Sequence, residues 1–209
     1  MDRNQVVYGA YMTFFVMLIG LIFAIPLLAF KSDVSALYSA FSYTCHQKLS
    51  RSLCLFNNEK GYWIGDCMPQ TGTFANNATD RLQIRAEGEN IGYKMPVCSR
   101  DVGLYGAMLI GGLMYPFVRR LKDRQMYPAI YLVLAIVPLG LDGSVQLISE
   151  TGILPFVYES TNMMRLFTGA IAGFAAAFYA IPVLVNMLSD SEKTTKKKET
   201  TAKRDNPKK

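Results

Sequence analysis

The chain has 209 residues, of which 51% are hydrophobic and only 18% charged, below the roughly 25% charge of soluble domains. Its apolar residues fall in long runs, which excludes a large soluble core as the organising principle and points to a bilayer. The net charge of +6 is no sign of nucleic acid, because many of the basic residues sit in one short loop and the C-terminal tail, where membrane topology accounts for them.

In chain order, the first apolar run extends from about Val6 to Phe30 without a charge. About 20 apolar residues suffice to cross the hydrocarbon core. A cleaved signal peptide is the rival reading; the run is too long for a signal core and no small-x-small site ends it. Residues 31–101 follow as an outer segment too long for a simple connection. Within it, Leu37, Phe41 and Leu49 stand near helical spacing and predict an interfacial helix over Ser35 to Leu49. The stretch Asn57 to Asn90 is richer in Gly, Asn and Thr and reads as loop or short hairpins, with Tyr62 and Trp63 as interfacial anchors and a glycosylation sequon at Asn77-Ala78-Thr79.

Three further spans are predicted, at about Val102 to Val118, Met126 to Leu141 with Pro128 and Pro138 as kinking residues, and Leu166 to Leu188. The loop Arg119-Arg120-Leu121-Lys122-Asp123-Arg124 and the Lys-rich tail then belong to the cytoplasm by the positive-inside bias, as does the N-terminus. The expected architecture is an all-α integral membrane protein of the cell membrane. A four-helix bundle over residues 1–188 carries an extracytoplasmic loop cap between its first two helices, and 189–209 form a disordered basic cytoplasmic tail. That tail reads as a solvated topology anchor, with anionic headgroups as a second partner. Gly103, Gly106, Ala107, Gly111 and Gly112, and later Gly169, Gly173 and Ala177, give two spans small faces suited to close helix contact.

The reactive side chains gather at the outer ends of the spans. All four cysteines fall on the predicted outer side, where disulfides are permitted. Cys54 and Cys67 flank a loop and are the favoured pair; the alternative, Cys45 with Cys98, would tie two motifs together covalently. Cys45 and His46 together with Cys98 and Asp101 form a candidate ligand set for zinc or another transition metal. The plainer alternative is a disulfide, a capping His46 and an Asp101 that complements a helix dipole. Asp142, Gln146 and Glu150 recur at four-residue intervals and share one face if the third helix runs on past Leu141. Arg165 is the expected partner of Asp142, and Asn162 lies one turn before Arg165, with Glu159 nearby. In a functional role, Arg165 would bind an anionic headgroup or phosphate.

Four blocks resemble a known family: Cys45-His46-Gln47 with Arg51-Ser52; Pro96 to Gly106, which contains Cys98-Ser99-Arg100-Asp101; Asp142-Gly143-Ser144-Val145-Gln146; and Glu159 to Gly169. Across about residues 40–180 the chain is similar to the membrane proteins of unknown function termed DUF2085. Many members look like Cys-x-Arg-Cys where this chain has Asp101, a change that keeps a metal ligand and loses a dithiol. The resemblance implies topology and site residues but carries no activity.

The first functional expectation is an outward-facing, metal-assisted enzyme acting on a lipid-linked or phosphate-bearing substrate. His46, Asp142 and Arg165 would be its catalytic residues, and Gln47, Arg51, Arg100, Gln146 and Asn162 its substrate contacts. A structural membrane subunit follows, then a small transporter or lipid translocase. A thiol-redox factor ranks last because a Cys-x-x-Cys pair is missing.

Overall fold

The computed structural model describes residues 2–43, 49–58, 60–67, 83–85, 91–121, 123, 125–153, 155–156 and 158–205, with side chains omitted over 83–85 and 189–205. Five helices and a small sheet make up the described chain: α1 (Arg3–Ala29), α2 (Ser35–Ser42), a 3-10 turn (Leu49–Arg51), β1 (Leu53–Asn58), β2 (Gly61–Asp66), β3 (Gln83–Arg85), β4 (Ile91–Lys94), α3 (Ser99–Val118), α4 (Ala129–Glu150) and α5 (Asn162–Asp205). Four helices are long and apolar enough to cross a membrane: α1, α3, α4 and the Asn162–Leu188 part of α5. Each contains the corresponding run predicted from sequence, or nearly all of it.

The helices are apolar on nearly all sides, and what they bury is selective. α1 buries a single stripe of Val7, Tyr11, Phe15, Ile22, Ile25 and Ala29, while Phe14, Met17, Leu21 and Leu28 remain exposed. A helix apolar all round, with a narrow buried stripe, is solvated by lipid on its remaining faces. α4 inverts the usual pattern: its buried residues are Asp142, Gln146 and Ser149, while Ile130, Val133, Leu134, Val137 and Leu141 face outward.

α3 and α5 form the tightest pair. A methyl group at Gly103 would collide with the Leu166 carbonyl, and one at Gly173 with the Leu104 carbonyl, so the two backbones touch directly. In lipid this close approach supplies the packing that a hydrophobic core supplies in water. α1 docks on α3 through Tyr8 and Tyr11, whose hydroxyls donate to the carbonyls of Gly112 and Met108, each at 3.0 Å. Tyr11, Phe15, Tyr115, Ala177 and Ile181 form the shared core of the three helices.

The outer segment departs from the expected loop cap. It contains a four-stranded antiparallel sheet in the order β2-β1-β4-β3. Leu55 lies opposite Ile64 on one side and Tyr93 on the other, and Phe56 opposite Trp63 and Gly92. The reason is local: Leu53-Cys54-Leu55-Phe56 and Tyr62-Trp63-Ile64 are short runs of aromatic and aliphatic residues, which suit a pleated surface. The Gly and Asn content around them concealed this. The fold is therefore mostly helical but not all-α. The predicted interfacial helix ends at Ser42, and its continuation at residues 44–48 lies outside the described residues.

Cys54 and Cys67 form a disulfide with Cα atoms 5.2 Å apart, the favoured pairing. It pins the end of β2 to β1 beneath Phe56 and Leu49. α5 continues as helix beyond Leu188 to Asp205. The sequon at Asn77 lies outside the described residues.

Candidate polar site at one membrane face

The site forms where the sheet end of the bundle meets the first turns of α3 and α5 and the last turns of α4. The close α3–α5 contact sets Ser99 beside Asn162. The Ser99 hydroxyl donates to Asn162 Oδ1 at 2.8 Å and approaches the Arg51 carbonyl at 3.1 Å. The Asn162 amide nitrogen donates to Asp66 Oδ1 at 3.1 Å and to the Ser52 carbonyl at 3.3 Å. One amide thereby joins α3, α5, β2 and Ser52, the residue between the 3-10 turn and β1.

α4 does continue past Leu141, so Asp142, Gln146 and Glu150 share a face. The expected partner of Asp142 is corrected: its carboxylate pairs with Arg100, not Arg165. The guanidinium passes close over Gly143, where a Cβ would sit 3.2 Å from Arg100 Nη1. The second carboxylate oxygen of Asp142 accepts from the Tyr158 hydroxyl at 3.0 Å.

Arg165 turns instead toward the 3-10 turn. It is 1% exposed, Nη1 donates to the Ser50 carbonyl at 3.3 Å, and Nη2 lies 3.7 Å from Glu159 Oε1. Arg51 pairs with Glu150 and approaches the same Glu159 oxygen at 4.0 Å. Both approaches to Glu159 are longer than hydrogen bonds. Arg165 Nε and Nη2, Arg51 Nε and Gln146 Nε2 are buried and have no hydrogen-bond partner among the described residues. Beside them lies a cleft of about 450 Å³ lined by Ser50, Arg51, Gln146, Ser149, Tyr158 and Glu159, among others.

Of the expected metal ligands, Cys98 and Asp101 adjoin one another, with Cys98 Sγ donating to Asp101 Oδ2 at 3.1 Å. Asp101 sits in the first turn of α3, as its dipole role requires. Cys45, His46 and Gln47 lie outside the described residues. Among the described residues no group of three His, Cys, Asp or Glu side chains could hold a metal ion. The residues that sequence reasoning missed are Ser50, Asp66, Ser99, Ser149 and Tyr158. Only Ser99, inside the Cys98–Asp101 block, carried a local signal; the rest are ordinary until the fold brings them together.

Four helices long and apolar enough to cross a membrane, with a polar, arginine-bearing cleft toward one end, are the architecture of a multi-pass membrane protein. The family model described as Predicted membrane protein (DUF2085) matches residues 90–179, the part that holds Arg100, Asp142 and Arg165. An uncharacterised protein of Methanocaldococcus jannaschii is 30% identical over 175 residues, covering 80% of this chain and 85% of its own. The chain belongs to this family of predicted membrane proteins. No solved structure matches it.

Proposed function

We propose that the cleft binds the phosphate-bearing headgroup of an anionic lipid or lipid-linked substrate at the extracytoplasmic face of the membrane. The observation that carries this reading is Arg165, a buried guanidinium that adjoins the cleft residues Ser50 and Glu159 and whose Nε and Nη2 find no hydrogen-bond partner among the described residues. A buried charged donor left unmade is costly, and the forked guanidinium matches phosphate oxygens. Glu159, about half exposed, holds a carboxylate oxygen between the two arginines at distances that make neither bond well. A phosphate oxygen displacing it would satisfy Arg51 and Arg165 together, with the Gln146 amide as a further donor. The outward orientation is supported by the disulfide at this end. The basic Arg119–Arg124 loop connects the opposite ends of α3 and α4.

Catalysis on such a substrate is the extension of this reading. Zinc or another transition metal held by Cys45, His46, Cys98 and Asp101 would supply an activated water, with His46 as ligand or base. The adjacency of Cys98 and Asp101 is what favours it. Elemental analysis of the purified protein beside Cys98→Ser tests the metal: stoichiometric zinc lost in the variant supports it, and none in either sample removes it.

Headgroup binding is tested by thermal unfolding in detergent with short-chain phosphatidic acid or phosphatidylcholine. A ligand present at 100 times its Kd adds roughly 2.7 kcal/mol. Phosphatidic acid should raise the melting temperature and phosphatidylcholine should not. Arg51→Gln, at a side chain already 26% exposed, should abolish the difference. Equal shifts with both lipids would sink the proposal.

A further inference from the structure

The four-stranded sheet has two faces of different character. Directly opposed residues in antiparallel strands point to the same side. Tyr62 and Ile64 of β2 therefore share a face with Ile91 and Tyr93 of β4, while Trp63 shares the other with Phe56 and the Cys54–Cys67 disulfide. The first face turns toward α1. Tyr93 and Tyr62 contact the Phe30 ring edge-on, with centroids 4.7 and 5.6 Å away. Leu53 packs against the cluster that contains Ile22 of α1, and Tyr93 against the one that contains Ile25 and Ala29. The same face leaves Tyr62 52%, Ile64 48% and Ile91 37% exposed although it is where the protein meets its first span, while on the other face Trp63, stacked on Phe56, is 41% exposed.

The end of α1 sets the depth of these residues. The helix has 27 residues. At 1.5 Å per residue it is roughly 40 Å long, against about 30 Å of hydrocarbon. The surplus of roughly 10 Å can carry its final turns, which Lys31 and Asp33 follow, into the headgroup layer, and Leu27 and Leu28 on them are exposed. Tyr62, Ile64 and Ile91 continue that exposed surface sideways from Phe30. Lys31 and Lys60, both exposed, follow Phe30 and precede Gly61 in the chain, where long cationic side chains can meet lipid phosphates.

We infer that the α1-facing side of the sheet is a lipid-contact surface, seated in the interfacial layer of the adjoining leaflet with Tyr62, Ile64 and Ile91 against the upper acyl chains. Its partner is the phospholipid interface itself, where aromatic side chains with a polar tip are favoured. Trp63, on the opposite face and stacked on Phe56 with centroids 4.4 Å apart, points away from that layer. The strand pleat thus separates two adjacent aromatic residues that the sequence presents alike. This inference is independent of the headgroup cleft.

Trp63 is the only tryptophan in the chain, so its emission can be read directly. Protein reconstituted in phosphatidylcholine brominated near the headgroup end of its chains is compared with protein in unbrominated lipid. The native protein should keep most of its emission. Trp63→Phe combined with Tyr62→Trp should be quenched to roughly half or less and emit further to the blue, as expected of an indole at the interface. Trp63→Phe with Ile64→Trp, at a second exposed position on the same face, should behave likewise and serves if the first variant does not fold. Reporters that remain unquenched, or a native Trp63 quenched as strongly as they are, would overturn the inference.

Discussion

Asp142→Ala removes the carboxylate on which the end of α4 is hung, and its cost can be worked from contacts. The Asp142 side chain is 6% exposed and accepts from Arg100 and from the Tyr158 hydroxyl. A bond from a charged donor contributes about 1.5–3 kcal/mol and a neutral one about 1 kcal/mol. Breaking a fully buried pair by removing one partner costs about 3–5 kcal/mol. The Arg100 side chain is 23% exposed, so water can take part of the load, and we expect about 3 kcal/mol. The assay is equilibrium unfolding in mixed micelles with increasing dodecyl sulfate, applied to Asp142→Ala, Arg100→Met and the double variant. The double variant should cost about 2 kcal/mol less than the two single changes added together, because the second change removes a charge already orphaned by the first. A loss under about 0.5 kcal/mol for Asp142→Ala, or strict additivity, would refute the reasoning that this pair holds α4 to α3.

Gly173→Val should cost about 2–4 kcal/mol, measured by the same unfolding, because its side chain must push the Leu104 backbone away; wild-type stability would show that the α3–α5 contact is not close. Loss of the Cys54–Cys67 bridge, which spans 13 positions, should cost about 3 kcal/mol. Limited proteolysis of Cys54→Ser/Cys67→Ser should then cut the sheet first while leaving the spans intact. Tyr38, outside the spans, donates to the Lys94 carbonyl, and burial, with Tyr93 adding to it, pushes its phenol well above the ordinary 10.0. The unfolded chain therefore loses this proton first. The stabilising contribution is complete below pH 10 and declines as pH rises past it, by up to about 1.4 kcal/mol per pH unit. Tyr38→Phe should flatten that alkaline slope, and an unchanged slope would exclude Tyr38 as its source.

The spans were legible in the sequence because lipid imposes one rule over about 20 residues at a time: every backbone group must be satisfied within the helix and nearly every side chain must be apolar. That rule is local, so Val6 to Phe30 and Leu166 to Leu188 could be read without knowing their neighbours. The polar end of α4 was legible for the same reason, since Asp142, Gln146 and Glu150 stand at helical spacing against an apolar run. Pairing is not local. Whether Asp142 meets Arg100 or Arg165 depends on where α4 sits against α3 and α5, which is fixed only once the helices face one another. The sheet was obscured because strands of three to six residues carry little periodic signal and owe their stability to partners elsewhere in the chain. The pleat likewise sends Tyr62 and Trp63 to opposite faces, a distinction that exists only when the register of β1 against β2 and β4 is formed.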